Sequence, residues 1–190
     1  MKNSIEDFKL QPLVNANFAK TALATYKQNG IEKSWEIVES HDSVAILIYH
    51  TERKSFILVK QFRPPLYHNN GDGMSVELCA GILDKDISVE KIAQEEVEEE
   101  CGFSVSLNSI KRIAKVNSAV GTAGTTQIMF YVEVDDSMRV GAGGGIDDEM
   151  IEVLELPISE ARAFMFDESI AKTTGLMFAF MWWFDRFNSK

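Results

Sequence analysis

The segment Ser88 to Phe103, SVEKIAQEEVEEECGF, constrains the fold more than any other stretch of the chain. Between Glu90 and Glu100 it carries six glutamates (90, 95, 96, 98, 99 and 100) and a single basic residue, Lys91. On a helix turning about 100° per residue from Val89, the residues Ile92, Ala93 and Val97 fall at about −60°, +40° and +80° and define a buried stripe. Glu96 and Glu100 fall at about −20° and +20°, in the middle of that stripe, and Glu99 at about −80° stands on its edge. Gln94, Glu98 and Lys91 already supply a solvated face, so these two carboxylates are not part of one. A buried carboxylate without a partner becomes neutral or costs several kcal/mol, and two such groups one turn apart repel. The helix ends at Gly102, suited to a left-handed cap with Phe103 packing back. Its C-terminal dipole disfavours each negative charge by a further ~0.3–1 kcal/mol. A cation must offset these terms. A hard divalent ion held by oxygen ligands, Mg²⁺ or Mn²⁺, fits, and buried Arg or Lys partners are the structural alternative.

The surrounding pattern is mixed. Val44–Tyr49, Ser55–Phe62, Met74–Ala80, Thr126–Val134 and Met150–Leu156 read as strands. His50 to Lys54 reads as the turn of a hairpin, and Tyr67 to Gly73 as a loop. Besides the acidic helix, helical spacing covers about Ser159 to Phe166 and about Ile170 to Phe187. The last places Leu176, Phe180, Trp183, Phe184 and Phe187 on one stripe. This predicts an α+β fold with a mixed sheet covered by helices. Residues 1–40 read as a small β-rich region around the turn Gln28-Asn29-Gly30, and 41–190 as the main domain. With a net charge of −10, recognition of nucleic acid through a basic face is disfavoured. A small phosphorylated substrate remains compatible if a metal or local Arg and Lys stand between the charges. The longest apolar run, Gly175 to Phe184, is too short to span a bilayer, and MKNSIEDFKL does not have the make-up of a signal peptide. With two cysteines, Cys79 and Cys101, read as reduced core groups, the expectation is a soluble cytoplasmic protein.

The acidic segment resembles a Nudix box, G-x5-E-x7-R-E-U-x-E-E-x-G-U with U apolar. Gly81, Glu96, Val97, Glu99, Glu100, Gly102 and Phe103 match, while Ile87 stands at the first Glu position and Glu95 at the Arg position. The resemblance extends from about Phe8 to Phe187 through YKQNGIEKSWEIVESHDSVAILIY, ILVKQFRPPLY, VELCAGILD, TTQIMFYVEV, GAGGGIDDEMIEVLELP and KTTGLMFAFMWWF. It points to the branch that cleaves nucleoside diphosphate sugars of the UDP-glucose type, with ADP-ribose pyrophosphatases as near relatives. It implies an α/β/α sandwich and a homodimer whose N-terminal strands serve the dimer contact and the substrate pocket, with no nucleic-acid or membrane partner. It also implies metal-dependent hydrolysis to a nucleoside monophosphate and a sugar 1-phosphate.

Several site residues follow from the resemblance. Glu96 and Glu100, with the main-chain carbonyl of Ala80, are the expected Mg²⁺ (or Mn²⁺) ligands, and Glu99 contributes to the same centre. Arg63, on an extended backbone before Pro64-Pro65, is expected to grip substrate phosphate through its planar fork. Glu77 is expected at the substrate pocket, although its alternation with Val76 and Leu78 equally suits a solvent-facing side chain. The loop GAGGGIDDE, Gly141 to Glu149, reads as mobile or as closely approached by a ligand, in the manner of a lid. Its Glu149 or Asp147 is expected to act as general base. Two alternatives stand: an ADP-ribose pyrophosphatase, and a catalytically silent nucleotide-sugar-binding protein. The second is motivated by Glu95, which cannot orient neighbouring glutamates as the family's arginine does and adds like charge; a cation from elsewhere in the fold, such as Lys91 one turn back, is the alternative that would compensate it.

Overall fold

A computed structural model describes residues 5–146 and 148–187, in two compact units. The smaller comprises the chain up to Ser40 together with Ala119–Gly124. Its hairpin joins β1 (Lys20–Gln28) to β2 (Ile31–Glu39) in antiparallel register from Lys20 opposite Glu39 to Gln28 opposite Ile31. Asn29 and Gly30 form the two-residue turn with positive φ of 55° and 81°, the conformation that matches the twist of the flanking strands. Within this unit Val38 donates its N–H to the Thr122 carbonyl at 2.9 Å, and Trp35 Nε1 donates to the Gly121 carbonyl at 2.7 Å.

The larger unit comprises His41–Ser118 and Thr125–Lys190. Its strands are β3 (Ser43–His50), β4 (Ser55–Phe62), β5 (Met74–Glu77), β6 (Cys79–Ile82), β7 (Lys111–Ser118), β8 (Thr125–Val134) and β9 (Glu152–Pro157). Its helices are α1 (Pro64–Asn70), α2 (Val89–Cys101), α3 (Ile158–Phe166) and α4 (Thr174–Phe187). One mixed sheet results. β3 runs parallel to β8 along its whole length, whereas β4 is antiparallel to β3, β5 and β9, and β7 to β8. β3 and β4 stay paired only from Ile48–Ile57 to His50–Ser55 and then diverge. Into that divergence go β5, on β4, and β6, on β3. The run Met74–Ala80, which reads as one strand, is therefore two, broken at Leu78 where the chain transfers from one neighbour to the other.

Alternation along the central strands buries both faces. Val44, Ile46, Ile48, Phe130 and Val132 pack with Ile92, Ala93, Val97 and Cys101 of α2. Ala45, Leu47, Phe56, Leu58 and Tyr131 pack with Ala161 and Met165 of α3 and with Leu176, Phe180, Trp183 and Phe184 of α4. This is the expected α/β/α sandwich. Two elements escape the sequence reading: α1, where a loop was expected from Tyr67, and β7, where no strand was expected. No helix among the described residues is long and apolar enough to cross a membrane. Cys79 and Cys101 are buried free thiols.

Candidate active site

The break at Leu78 decides where the acidic helix meets the sheet. β6 pairs with β3 from Cys79 to Ile82, which sets Ala80 and Gly81 beneath α2. The Ala80 N–H donates to Glu100 Oε2 at 2.9 Å, and Gly81 lies so close to Glu96 that an added Cβ would stand 1.9 Å from Glu96 Oε1. A side chain at position 81 would displace the Glu96 carboxylate, so glycine serves there for space rather than for φ. Ser88 caps the start of α2, its side chain accepting from the Lys91 N–H at 3.2 Å. Gly102 caps the end with φ 73°.

Glu100 is 4% exposed and Glu96 half-buried, as their place on the apolar face requires. Burial first, then the charges of Glu100, Glu99 and Glu149, push the Glu96 carboxyl up to about 8. Burial pushes Glu100 up to about 7, opposed by hydrogen bonds from Ala80 and from the Cys79 thiol. The Cys79 thiol is itself driven well up by burial and by its neighbour Cys101. No ion pair to a lysine or arginine reaches Glu96 or Glu100 among the described residues. Two raised carboxyls without an ion-pair partner make a site where a bound cation would offset the charge and compete with protons at neutral pH.

The glycine loop differs from expectation. Gly144 and Gly145 donate their N–H groups to the Glu100 and Glu99 carbonyls at 2.8 and 3.1 Å, satisfying carbonyls that the last turn of α2 leaves unpaired. A Cβ on Gly143 would meet the Glu100 carbonyl oxygen at 2.3 Å, and one on Gly102 the Gly141 oxygen at 2.3 Å. The glycines are therefore closely approached, but by the end of α2 and not by an open ligand space. Docking the loop brings Glu149 near enough to act electrostatically on Glu96, Glu100 and Arg63. Its exposed carboxylate accepts from the Ile146 N–H at 3.1 Å. Asp147 lies outside the described residues.

Arg63 caps α1 with extended backbone, φ −119° and ψ 105°. Its Nε and Nη2 donate to the two oxygens of Glu77 at 2.9 and 2.7 Å, a bidentate pair that raises the guanidinium further. Glu77 is buried and faces Arg63, not solvent. Glu96, Glu99, Glu100, Glu149, Arg63, Glu77 and Ala80 thus share one region at the foot of α2. Lys85 is an addition that the sequence reading passed over. It lies 2.7 Å from Glu95 Oε2, and Lys91 lies 3.8 Å from Glu95 Oε1.

Hard carboxylate oxygens on a buried face suit Mg²⁺ or Mn²⁺. Among the described residues no three His, Cys, Asp or Glu side chains converge into a ready-made cage.

No protein-family model matches the chain. Curated proteins do. The uridine diphosphate glucose pyrophosphatase of Bos taurus is 38% identical over 188 residues, 84% of this chain and 85% of the relative. That of Mus musculus is 38% identical over 190 residues, 85% and 86% of the two chains. The GDP-mannose pyrophosphatase of Cronobacter sakazakii is 40% identical over 129 residues, 66% and 65% of the two. Fold, site and kinship define a hydrolase of diphosphate bonds. The chain belongs to the Nudix pyrophosphatases, a family that uses divalent metals.

Proposed function

We propose that the protein hydrolyses the diphosphate of a nucleoside diphosphate sugar, of the UDP-glucose type, to a nucleoside monophosphate and a sugar 1-phosphate, with Mg²⁺ as the ordinary metal. The observation that carries this reading is the pair Glu96 and Glu100. Both are held on the apolar face of α2 with raised pKa and no ion pair to a lysine or arginine among the described residues, a costly arrangement with little physical purpose in a silent protein. The names of the relatives supply the substrate class.

Bound divalent cations supply charge neutralisation and Lewis acidity toward the diphosphate. Glu96 and Glu100 would hold them, with Glu99 and the Ala80 carbonyl as further oxygen donors. Arg63 binds the phosphate that is not attacked. Two of its five donor hydrogens are taken by Glu77, which aims the fork and leaves the others for substrate. Glu149, on the loop docked to the end of α2, takes the proton of the attacking water as general base, with Asp147 as the other candidate.

Residues 1–40 form the dimerisation region in this reading. A lone two-stranded hairpin is marginal in water, and Leu10, Leu13, Val14, Phe18, Leu23, Ile31 and Trp35 are exposed in one chain, an apolar surface that a second copy would cover. The cytoplasm, where Cys79 and Cys101 stay reduced, is the proposed location. The test is nucleotide and phosphate release from UDP-, GDP- and ADP-sugars and ADP-ribose with Mg²⁺, followed through a coupled phosphatase. Turnover of UDP-glucose or a close analogue is expected. Turnover of ADP-ribose alone would move the chain to the sister branch, and no turnover of any substrate would support the silent reading.

A further inference from the structure

The chain from β6 to α2 is held at several points. Ala80 is hydrogen-bonded to Glu100, Gly81 abuts Glu96, the Leu83 N–H donates to the Asp42 carbonyl at 2.8 Å, and Ser88 caps α2. Between Leu83 and Ser88 the side-chain tie is Lys85 to Glu95, 2.7 Å. Glu95 is the residue just before Glu96, and Lys91, 3.8 Å away, steadies its other oxygen. The ammonium of Lys85 acts on Glu96 and Glu99 as well as on Glu95, so a cation does reach the glutamates of the site. It comes from the loop and not from the helix.

We infer that Lys85 is a positioning residue, forming with Glu95 a charge-reversed clasp that fixes the Gly81–Ser88 loop against α2 in place of an arginine at position 95. The inference rests on the metal-dependent reading of Glu96 and Glu100. It accounts for the departure of the box at Glu95, since a carboxylate there is required once the cation stands at position 85. An arginine at position 95 would face both Lys85 and Lys91.

The test is a charge swap in the full-length protein. Lys85→Glu and Glu95→Arg each break the clasp with like charges, and each is expected to lower kcat at saturating Mg²⁺ about fivefold or more, since small displacements of catalytic groups are amplified in rate. The double variant Lys85→Glu/Glu95→Arg is expected to recover to within about twofold of wild type, the coupling expected of residues in contact. Binding of Mn²⁺ without substrate, followed by calorimetry, gives a second readout with opposite signs. Lys85→Glu adds negative charge near the site and tightens binding, Glu95→Arg weakens it, and the swap restores it. Single variants with wild-type kcat, or a folded swap that recovers neither kcat nor Mn²⁺ affinity, would overturn the inference. If the wild type turns over no nucleotide sugar, the functional reading fails by itself. Thermal unfolding of the four metal-free proteins then still decides the clasp: both single variants should lower Tm and the swap recover it, and additive changes in Tm would overturn the inference.

Discussion

Replacing Glu100 with glutamine should stabilise the metal-free protein, and by an amount that grows with pH. Burial raises this carboxyl from an ordinary 4.5 to about 7, so the folded state holds its proton more tightly than the unfolded chain does. The stability associated with that proton is complete below about pH 4.5 and is lost as pH rises through about 7. At about 1.4 kcal/mol per pKa unit the loss amounts to roughly 3 kcal/mol by pH 8. The side chain is 4% exposed, so solvent screening takes little from this figure. Glutamine keeps the shape and an oxygen that can accept the Ala80 N–H, but it never ionises. Its advantage should approach zero near pH 4.5 and reach roughly 3 kcal/mol at pH 8, which is about 6–12 °C in Tm for a chain of this size. The assay is thermal unfolding of both proteins in chelator from pH 4.5 to 8.5. The slope of the difference carries the signal, because any fixed packing change adds the same amount at every pH. A difference that does not change with pH, or that favours wild type at pH 8, would refute the account of Glu100 as a buried carboxyl without an ion-pair partner. Adding Mg²⁺ at pH 8 should stabilise the wild type and have much less effect on the variant.

Other perturbations read other parts of the site. Gly143→Ala should cost about 2–4 kcal/mol in chemical unfolding, because φ is +72° and the new Cβ would stand 2.3 Å from the Glu100 carbonyl oxygen; a loss below about 1 kcal/mol would mean the loop does not clamp the helix end. Arg63→Lys keeps the charge but loses the fork held by Glu77, so KM for the nucleotide sugar should rise about tenfold or more with little change in Tm, and an unchanged KM would remove Arg63 from the phosphate. Deleting residues 1–40 should turn a dimer into a monomer in sedimentation. A truncated chain that still sediments as a dimer would rule out that region as the interface.

The acidic helix was legible because its information is local. A helical period, applied to Glu96 and Glu100 among Ile92, Ala93 and Val97, places both carboxylates inside without knowledge of any other element. The strand break at Leu78 was not legible, because it depends on β3 and β4 diverging, and nothing in MSVELCA marks which neighbour each half will pair with. Helix α1 is short and ends in His-Asn-Asn before Gly71, which reads as loop, although Pro64-Pro65 at its start and Gly71 after its end with φ 78° are signals of a first turn and a cap. Strand β7 is mostly charged or exposed, and its register shifts between Arg112 and Ala114, so the alternation that would reveal it is interrupted. The glycines of the Gly141–Gly145 loop announced a close approach, but not what approaches. Lys91 was the visible candidate to compensate Glu95 because it lies one turn away; Lys85 lies across the loop, and only the folded chain brings it to 2.7 Å.

The central claim is that Glu96 and Glu100 form the metal-dependent centre of a nucleotide-sugar pyrophosphatase. The most direct test is the turnover of UDP-glucose at saturating Mg²⁺ by wild type, Glu96→Gln and Glu100→Gln, each verified as folded. The account predicts Mg²⁺-dependent release of uridine monophosphate and glucose 1-phosphate by wild type, and a loss of about a thousandfold or more in both variants, as expected when a ligand of the catalytic metal is removed. Either variant retaining near wild-type turnover would contradict it.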